Sequence, residues 1–194
     1  MLPEQELKRT ARQMNLPGFG PEQQQRLYDA HVLVIGAGGL GCPIMQTLAA
    51  TGVGHITVWD DDTVDLTNIH RQILFGADDV GRRKVDVAAE RLRALQPDIQ
   101  VTTYFDRLTP DNFIEALDGV DLLIDGWLVI EIDGLVKYDD TTYGPAQEAL
   151  LNEKKRADRI GNAGFPILRF SPSYLERHPD KFIATVRERW RRGR

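Results

Sequence analysis

Residues 31–42 are His-Val-Leu-Val-Ile-Gly-Ala-Gly-Gly-Leu-Gly-Cys, and this stretch decides the fold. Its apolar start, Val32–Ile35, is rich in β-branched residues, which is typical of a buried strand. A predicted helix at residues 43–51 and a second apolar strand, His55–Trp59, follow, and this strand ends at Asp60. A strand, a glycine-rich turn, a helix and a second strand in this order predict an α/β unit that binds a nucleotide.

The glycines of this stretch have separate physical tasks. We expect Gly36 to permit the tight turn, Gly38 to let the backbone approach a phosphate, and Gly41 to let the helix pack closely on the strand. Gly39 completes the predicted loop. The N-terminus of the following helix offers N–H groups and the positive end of a dipole to an anion. Asp60 lies at about the spacing at which a carboxylate meets ribose hydroxyls.

The composition predicts a cytoplasmic globular protein. The chain has 194 residues, of which 42% are hydrophobic, and a net charge of -5, which suits one α/β domain or one domain plus a fragment. We expect neither a membrane span nor a secretory signal. The single cysteine, Cys42, excludes internal disulfides and a Cys-x-x-Cys zinc site. Residues 153–194 are basic, which is typical of a solvated helix face or of a nucleic-acid contact, and we favour the first.

Predicted helices alternate with predicted strands along the rest of the chain, which indicates a mainly parallel, doubly wound sheet. The further helices are at residues 4–13, 21–29, 85–95, 110–117, 144–160 and 179–192, and the further strands are at 99–104, 120–124, 127–134 and 165–170. Asp125-Gly126 separates two of these strands. Since parallel neighbours need a crossover of a dozen or more residues, we expect a tight hairpin there, with the later strand antiparallel.

Two features between the second and third strands point to anion binding. Residues 60–72 form a polar loop that is too long to be a mere connector, so it is a candidate functional loop. Lys84 follows two arginines at the predicted start of a helix, where the helix dipole disfavours positive charge. Cations placed there cost stability unless an anion arrives, which makes Lys84 a candidate anion ligand.

Residues 9–126 resemble the ThiF/MoeB family of adenylating enzymes, which is related to ubiquitin-activating enzymes. The matching motifs occur in unbroken order over about three-fifths of the chain. They are Arg12-Gln13, Leu16–Gly20, Val32–Cys42, Gly52–Gly54, Asp60–Val64, Asn68–Gln72, Val80-Gly81, Lys84 and Leu122–Asp125. A generic dinucleotide fold has no need of the series Asn68, Arg71-Gln72 and Lys84, so the match is specific.

The resemblance implies an enzyme that binds ATP with Mg²⁺ and adenylates the C-terminal carboxylate of a ubiquitin-like sulfur-carrier protein, releasing pyrophosphate. Such transfers depend on positioning and charge neutralisation. It also implies a homodimer, in which Arg12 reaches the phosphates of the neighbouring subunit, and a packing role for Cys42. The implied catalytic residues are Arg71, Lys84 and Arg12, the nucleotide ligands are Gly36, Gly38, Gly39, Gly41, Asp60, Asp62, Asn68 and Gln72, and the metal ligands are Asp62 and Asp125.

Residues 127–194 resemble instead the C-terminal half of a restriction-endonuclease-like domain, through Val129–Gly134, Lys137-Tyr138, Glu153–Arg156 and Gly164–Phe170. In that fold Glu131 and Asp133, which share one face of a strand, would face a metal. The strand that should supply a further acidic ligand is absent or replaced, so we expect no nuclease activity. We interpret the two carboxylates as the polar end of an edge strand.

The predicted organisation is a helical arm at residues 1–30, a truncated nucleotide-binding domain at 31–126 and an extension at 127–194. Trp127 stands where the resembled family has a second acidic magnesium ligand, and a neutral indole cannot coordinate Mg²⁺.

An adenylyltransferase domain, active or inactive, is the first hypothesis. A module that binds a dinucleotide such as NAD is the second, disfavoured by Arg71 and Lys84, and a nucleic-acid-processing protein led by the C-terminal segment is the third.

Overall fold

The computed structural model describes residues 1–125, 128–132 and 167–192. The chain divides into two compact units, Met1–Gly126 and Trp127–Arg194. Sequence predictions that involve residues outside the described ranges include the helix at residues 144–160, the hairpin turn at residues 126 and 127, and Asp133 of the proposed nuclease pair. Among the helices of the described ranges, none combines the length and apolar character that a membrane crossing requires.

The first unit contains a four-stranded sheet whose strands are all parallel. Its elements are α1 (Glu4–Thr10), α2 (Pro21–Asp29), β1 (His31–Ile35), α3 (Gly41–Thr51), β2 (His55–Trp59), α4 (Lys84–Leu95), β3 (Gln100–Tyr104), α5 (Pro110–Phe113) and β4 (Leu122–Asp125). The order β3-β2-β1-β4 confirms the predicted Rossmann-like α/β class. Because the chain leaves β1 toward β2 and later returns to the other side of β1, the carboxyl end of β1 is a topological switch point, where such folds bind ligands.

The main core lies between one face of this sheet and helices α3 and α4. Side chains alternate between the two faces of a strand, and the inward set comes from both central strands. This core includes Val32, Val34, Ile56, Val58, Met45, Val85 and Leu92, all buried. A Cβ on Gly41 would lie 1.9 Å from the carbonyl oxygen of Gly36, so α3 can approach the end of β1 only because residue 41 has no side chain.

Helices α1 and α2 are attached to the C-terminal end of α3 by a buried polar cluster. Gln24, which is fully buried, donates to the carbonyl oxygen of Thr51 at 3.0 Å, and Gln13 donates to the same oxygen at 2.7 Å. Arg9 forms a two-point ion pair with buried Glu6. Because a helix leaves its last carbonyls unpaired, these donors complete α3 and fix residues 1–30 to the sheet domain.

The described part of the second unit contains β5 (Leu128–Ile132), β6 (Ile167–Phe170), α6 (Pro172–Arg177) and α7 (Pro179–Arg192). Strands β5 and β6 are parallel, with Glu131 opposite Arg169. Arg169 Nε donates to Glu131 Oε2 at 2.6 Å. This carboxylate, one of the two that the sequence offers as metal ligands, is thus neutralised by a guanidinium, which favours the structural interpretation over the nuclease one.

Two predicted helices are shorter in the structure, and one helix of the structure has no predicted counterpart. The helix predicted at residues 4–13 ends at Thr10, and the helix predicted at 110–117 ends at Phe113 and gives way to a 3₁₀ turn, Glu115–Leu117. Helix α6 was not predicted, although Ser171 accepts a hydrogen bond from the N–H of Tyr174 in the manner of an N-cap. The predicted hairpin turn involves residues 126 and 127, outside the described ranges, and stays a prediction.

Two histidines stack at the amino ends of β1 and β2, whereas the glycine turn is at the carboxyl end of β1. The rings of His31 and His55, neighbours in register, are 3.6 Å apart at an interplanar angle of 7°. Nδ1 of His31 lies 2.9 Å from the carbonyl oxygen of Gly119, and Nε2 lies 2.8 Å from Thr57 Oγ1. Burial lowers the pKa of both imidazoles, and the neighbouring His31 lowers the pKa of His55 further.

We predict that this pair makes the stability of the fold fall with acidification. A histidine whose pKa is lower when folded is stabilising above its unfolded pKa of about 6.5, and that stability is lost as the pH falls below it. Urea unfolding between about pH 7.5 and pH 5.5 should show a smaller loss for His55→Gln than for the wild type. His70→Gln, at an exposed position, is the control and should keep the wild-type slope; equal slopes in all three proteins would contradict the prediction.

We predict that Gly41→Ala destabilises the fold by about 3 kcal/mol, since the new methyl group must displace the Gly36 carbonyl or move α3. Gly38→Ala is the matched control, because a Cβ on Gly38 would meet no atom within 4 Å. The free energy of unfolding from urea titration checks both variants. A Gly41→Ala protein as stable as Gly38→Ala would show that the close contact is not required.

Candidate nucleotide-binding site

The glycine loop, residues 36–41, connects the carboxyl end of β1 to the N-terminus of α3. Gly36 has φ of +85°, a conformation that favours glycine, and it donates its N–H to the carbonyl oxygen of Trp59 at 2.8 Å. The space beside Gly38 is open, with no atom within 4 Å of a Cβ placed there. An anion can therefore approach the loop backbone and the positive end of α3.

Asp60 ties the glycine loop to the end of β2. Its Oδ2 accepts a hydrogen bond from the N–H of Ala37 at 2.7 Å, and its Oδ1 accepts one from the N–H of Asp62 at 2.8 Å. Burial raises the pKa of the Asp60 carboxyl, while these two hydrogen bonds and the charge of Lys84 act in the opposite direction. The residue predicted to bind ribose therefore also holds the loop in shape.

Arg71 lies against the glycine loop. A Cβ on Gly39 would be 3.5 Å from Cδ and Cγ of Arg71, so the arginine stem covers this glycine. The guanidinium donates to Oδ1 of Asn68, and Nη1 lies 3.4 Å from Nε2 of His70. The structure thus brings together Asn68, Arg71 and Gly39, three of the residues singled out from the sequence.

Gln72 is 5% exposed, and its Oε1 has no hydrogen-bond partner. Buried acceptors without a donor are rare in folded proteins. The contact with a phosphate that the sequence predicts for Gln72 stays a prediction.

Lys84 is the first residue of α4, and its side chain is buried. Its Nζ donates to Oδ2 of Asp62 at 2.8 Å, and its backbone N–H donates to the carbonyl oxygen of Asp62 at 3.1 Å. Asp62 thus provides the anion that this helix start requires. Hydrogen bonds run without a break from the glycine loop through Asp60 and Asp62 to Lys84.

Arg12 lies away from the glycine loop of its own chain. It directly precedes Gln13, which is bound to the C-terminal end of α3, whereas the loop is at the N-terminal end. Since α3 has 11 residues, the two ends are about 16 Å apart at the usual rise of a helix. The backbone at Arg12 is therefore placed toward the end of α3 that is remote from the glycine loop. The predicted action on a neighbouring subunit stays a prediction.

The metal assignment rests on oxygen ligands. Within residues 1–125, 128–132 and 167–192, no group of three or more His, Cys, Asp or Glu side chains is placed to hold a metal ion. Mg²⁺ in nucleotide sites is held by one or two carboxylates together with phosphates and waters, and the exposed carboxylate of Asp62 fits that donor set. The backbone of Asp125 pairs with Ile35, the residue before the glycine loop; its side chain lies outside the description.

Cys42 packs in the core rather than acting as a reactive thiol. Its Sγ donates to the carbonyl oxygen of Ala37 at 3.4 Å. Burial raises the pKa of the thiol to about 11, so the sulfur is protonated at neutral pH. The positive end of the α3 dipole therefore does not make Cys42 a thiolate nucleophile.

Sequence reasoning did not single out Trp59 and Tyr104, which stack at the carboxyl ends of β2 and β3. Their rings are 4.3 Å apart at an interplanar angle of 14°. The indole Nε1 of Trp59 is buried and has no hydrogen-bond partner. The available signal was that Trp59 immediately precedes Asp60, the predicted ribose ligand. Tyr104 meets Asp60 only in the fold, where its carbonyl oxygen accepts the N–H of Asp60 at 3.2 Å.

Relatives of the chain include several adenylyltransferases. It is 50% identical over 121 residues to the sulfur carrier protein adenylyltransferase of Thermus thermophilus, covering 62% of this chain and 45% of that protein. It is 43% identical over 125 residues to the probable adenylyltransferase/sulfurtransferase MoeZ of Mycobacterium tuberculosis, covering 64% of this chain and 32% of that protein. The chain thus spans less than half the length of both relatives.

A solved structure has the same fold. The Escherichia coli tRNA N6-threonylcarbamoyladenosine dehydratase TcdA, in complex with ATP, superposes with a TM-score of 0.59 and 28% identity, over 87% of this chain and 61% of that one.

The ThiF family model matches residues 10–137. The match continues past residue 126, where the sequence predicts a change of family, and covers more than half of the 194 residues. The chain therefore belongs to the ThiF family.

Proposed function

We propose that this chain is a ThiF/MoeB-type adenylyltransferase, which binds ATP with Mg²⁺ and activates the C-terminal carboxylate of a ubiquitin-like sulfur-carrier protein. One observation carries the proposal: one cation lies against the glycine loop, and a second is linked to it by hydrogen bonds. Arg71 lies against Gly39, and Lys84 is connected to the loop through Asp62 and Asp60. A triphosphate needs this additional positive charge, whereas a dinucleotide does not.

The proposed reaction is a displacement at the α-phosphorus of ATP. The carboxylate of the carrier attacks the α-phosphorus, the bond from that phosphorus to the bridging oxygen breaks, and pyrophosphate leaves. Backbone N–H groups of the glycine loop and the start of α3 hold phosphate oxygens. Arg71 and Lys84 neutralise the negative charge that is spread over those oxygens in the transition state. Bound Mg²⁺ would supply further neutralisation, with Asp62 and Asp125 as its protein ligands.

The remaining assignments belong to the same proposal. Asp60 binds the ribose, and Asn68 and Gln72 contact the phosphates. The chain acts in the cytoplasm as a homodimer, in which Arg12 of one subunit serves the site of the other. Support for the reaction class comes from relatives named as adenylyltransferases, and support for the nucleotide comes from TcdA, whose structure contains ATP.

We predict that Lys84→Met and Arg71→Gln each weaken ATP binding by about tenfold or more, since each removes a charge-assisted contact to phosphate. Thermal unfolding with ATP and Mg²⁺ measures the effect, because a ligand specific for the folded state raises the melting temperature. Lys8→Met is the control: Lys8 is exposed and pairs with Glu4. Variants stabilised by ATP as strongly as the wild type would contradict the assignment.

Exchange of labelled pyrophosphate into ATP tests the reaction itself. We expect exchange that requires both Mg²⁺ and a ubiquitin-like sulfur-carrier protein ending in glycine, and that is lost in Lys84→Met. ATP binding without carrier-dependent exchange would restrict the function of this chain to nucleotide binding. Exchange that continues at the wild-type rate in Lys84→Met would remove Lys84 from the chemistry.

A further inference from the structure

The ion pair between Lys84 and Asp62 is strongly asymmetric. The lysine side chain is 4% exposed, whereas the aspartate side chain is 68% exposed. An ammonium group has three N–H donors, and the described part of the chain gives this one a single acceptor, Oδ2 of Asp62, at 2.8 Å. A buried ammonium without a counter-ion is costly. In the absence of nucleotide, Asp62 is therefore the counter-ion that the described residues provide for Lys84.

Backbone contacts hold Asp62 next to Lys84 independently of the ion pair between their side chains. The N–H of Lys84 donates to the carbonyl oxygen of Asp62 at 3.1 Å, and Thr63 forms an antiparallel bridge with Arg83. The N–H of Asp62 is in turn held by Asp60. The segment cannot withdraw from α4 without breaking these bonds, so only the exposed carboxylate of Asp62 is free to turn.

This arrangement brings two negative groups together when a polyphosphate arrives. A phosphate that binds the Lys84 ammonium lies next to the Asp62 carboxylate, because the fixed backbone holds Asp62 beside Lys84. Two negative charges a few ångströms apart repel each other, most strongly where water is partly excluded. A divalent cation between them turns the repulsion into attraction, since carboxylate and phosphate oxygens are the ligands that Mg²⁺ prefers.

We propose that Asp62 makes this site selective for the metal complex of a nucleoside triphosphate over the metal-free form. In the empty site it is the counter-ion of Lys84; in the occupied site it disfavours a bare triphosphate and favours one that carries a divalent cation. This inference rests on the proposed nucleotide binding and adds to it the residue that discriminates between the two forms of the ligand.

The test compares ATP dissociation constants from isothermal titration calorimetry, in Mg²⁺ and in EDTA, for the full-length wild type, Asp62→Asn and Asp61→Asn. Asp61 is the matched control, since it is the exposed neighbouring carboxylate and the described residues give it no hydrogen bond or ion pair. We expect Asp62→Asn to bind metal-free ATP about tenfold more tightly than the wild type and to show a smaller preference for Mg²⁺. Asp61→Asn should retain the wild-type preference.

The fold should survive Asp62→Asn, because the amide oxygen still accepts a hydrogen bond from Lys84. If that variant fails to fold, Asp62→Ser, which also removes the charge and keeps an acceptor, takes its place. Metal-free binding that is unchanged or weaker in the charge-removing variant overturns the proposal and leaves the proposed function intact. A wild-type protein that binds ATP under neither condition overturns both.

Discussion

The carboxylate of Asp60 holds the candidate site together, because it joins the glycine loop to the segment that follows β2. One oxygen accepts the N–H of Ala37 in the glycine loop and the other accepts the N–H of Asp62, while the residue itself directly follows β2. The loop between β1 and α3 and the approach to α4 thereby share one anchor. Since the carboxylate is partly buried at the switch point of the sheet, the geometry offered to a ligand depends on this one group.

Two helix termini are completed by such contacts. Lys84 at the start of α4 opposes the helix dipole, and here Asp62 neutralises it. At the C-terminal end of α3, Gln13 and Gln24 both donate to the carbonyl oxygen of Thr51. In both cases a polar side chain from a segment outside the helix completes a helix terminus, so the loops around the site are fixed by the same bonds that stabilise the helices.

The sequence predicts the sheet class and much of the candidate site, because these depend on local pattern. Alternating helices and strands require parallel pairing, and the tasks expected of Gly36 and Gly41 follow from backbone sterics alone. The partner of Lys84 could not be predicted, since Asp62 is 22 residues earlier and meets it only through the bridge between Thr63 and Arg83. Long-range pairing of this kind leaves no periodic signal.

In the second unit the sequence predicts a strand but not the partner of a charged residue on it. Alternation correctly places Glu131 on a strand, but whether a carboxylate is a metal ligand depends on the residue opposite, and that residue is Arg169. The pairing of β5 with β6 spans a stretch of more than thirty residues, over which no sequence rule fixes the register. The ion pair of Glu131 with Arg169 favours the structural interpretation of this carboxylate.

The proposed function requires that the glycine loop, Arg71 and Lys84 together bind three phosphates. Calorimetric titration of the full-length chain with ATP and Mg²⁺ and, separately, with NAD tests this most directly. Saturable binding of ATP at a single site, with NAD at least tenfold weaker, is the predicted result. Tighter binding of NAD than of ATP would contradict it, because Arg71 and Lys84 would then have no third phosphate to neutralise.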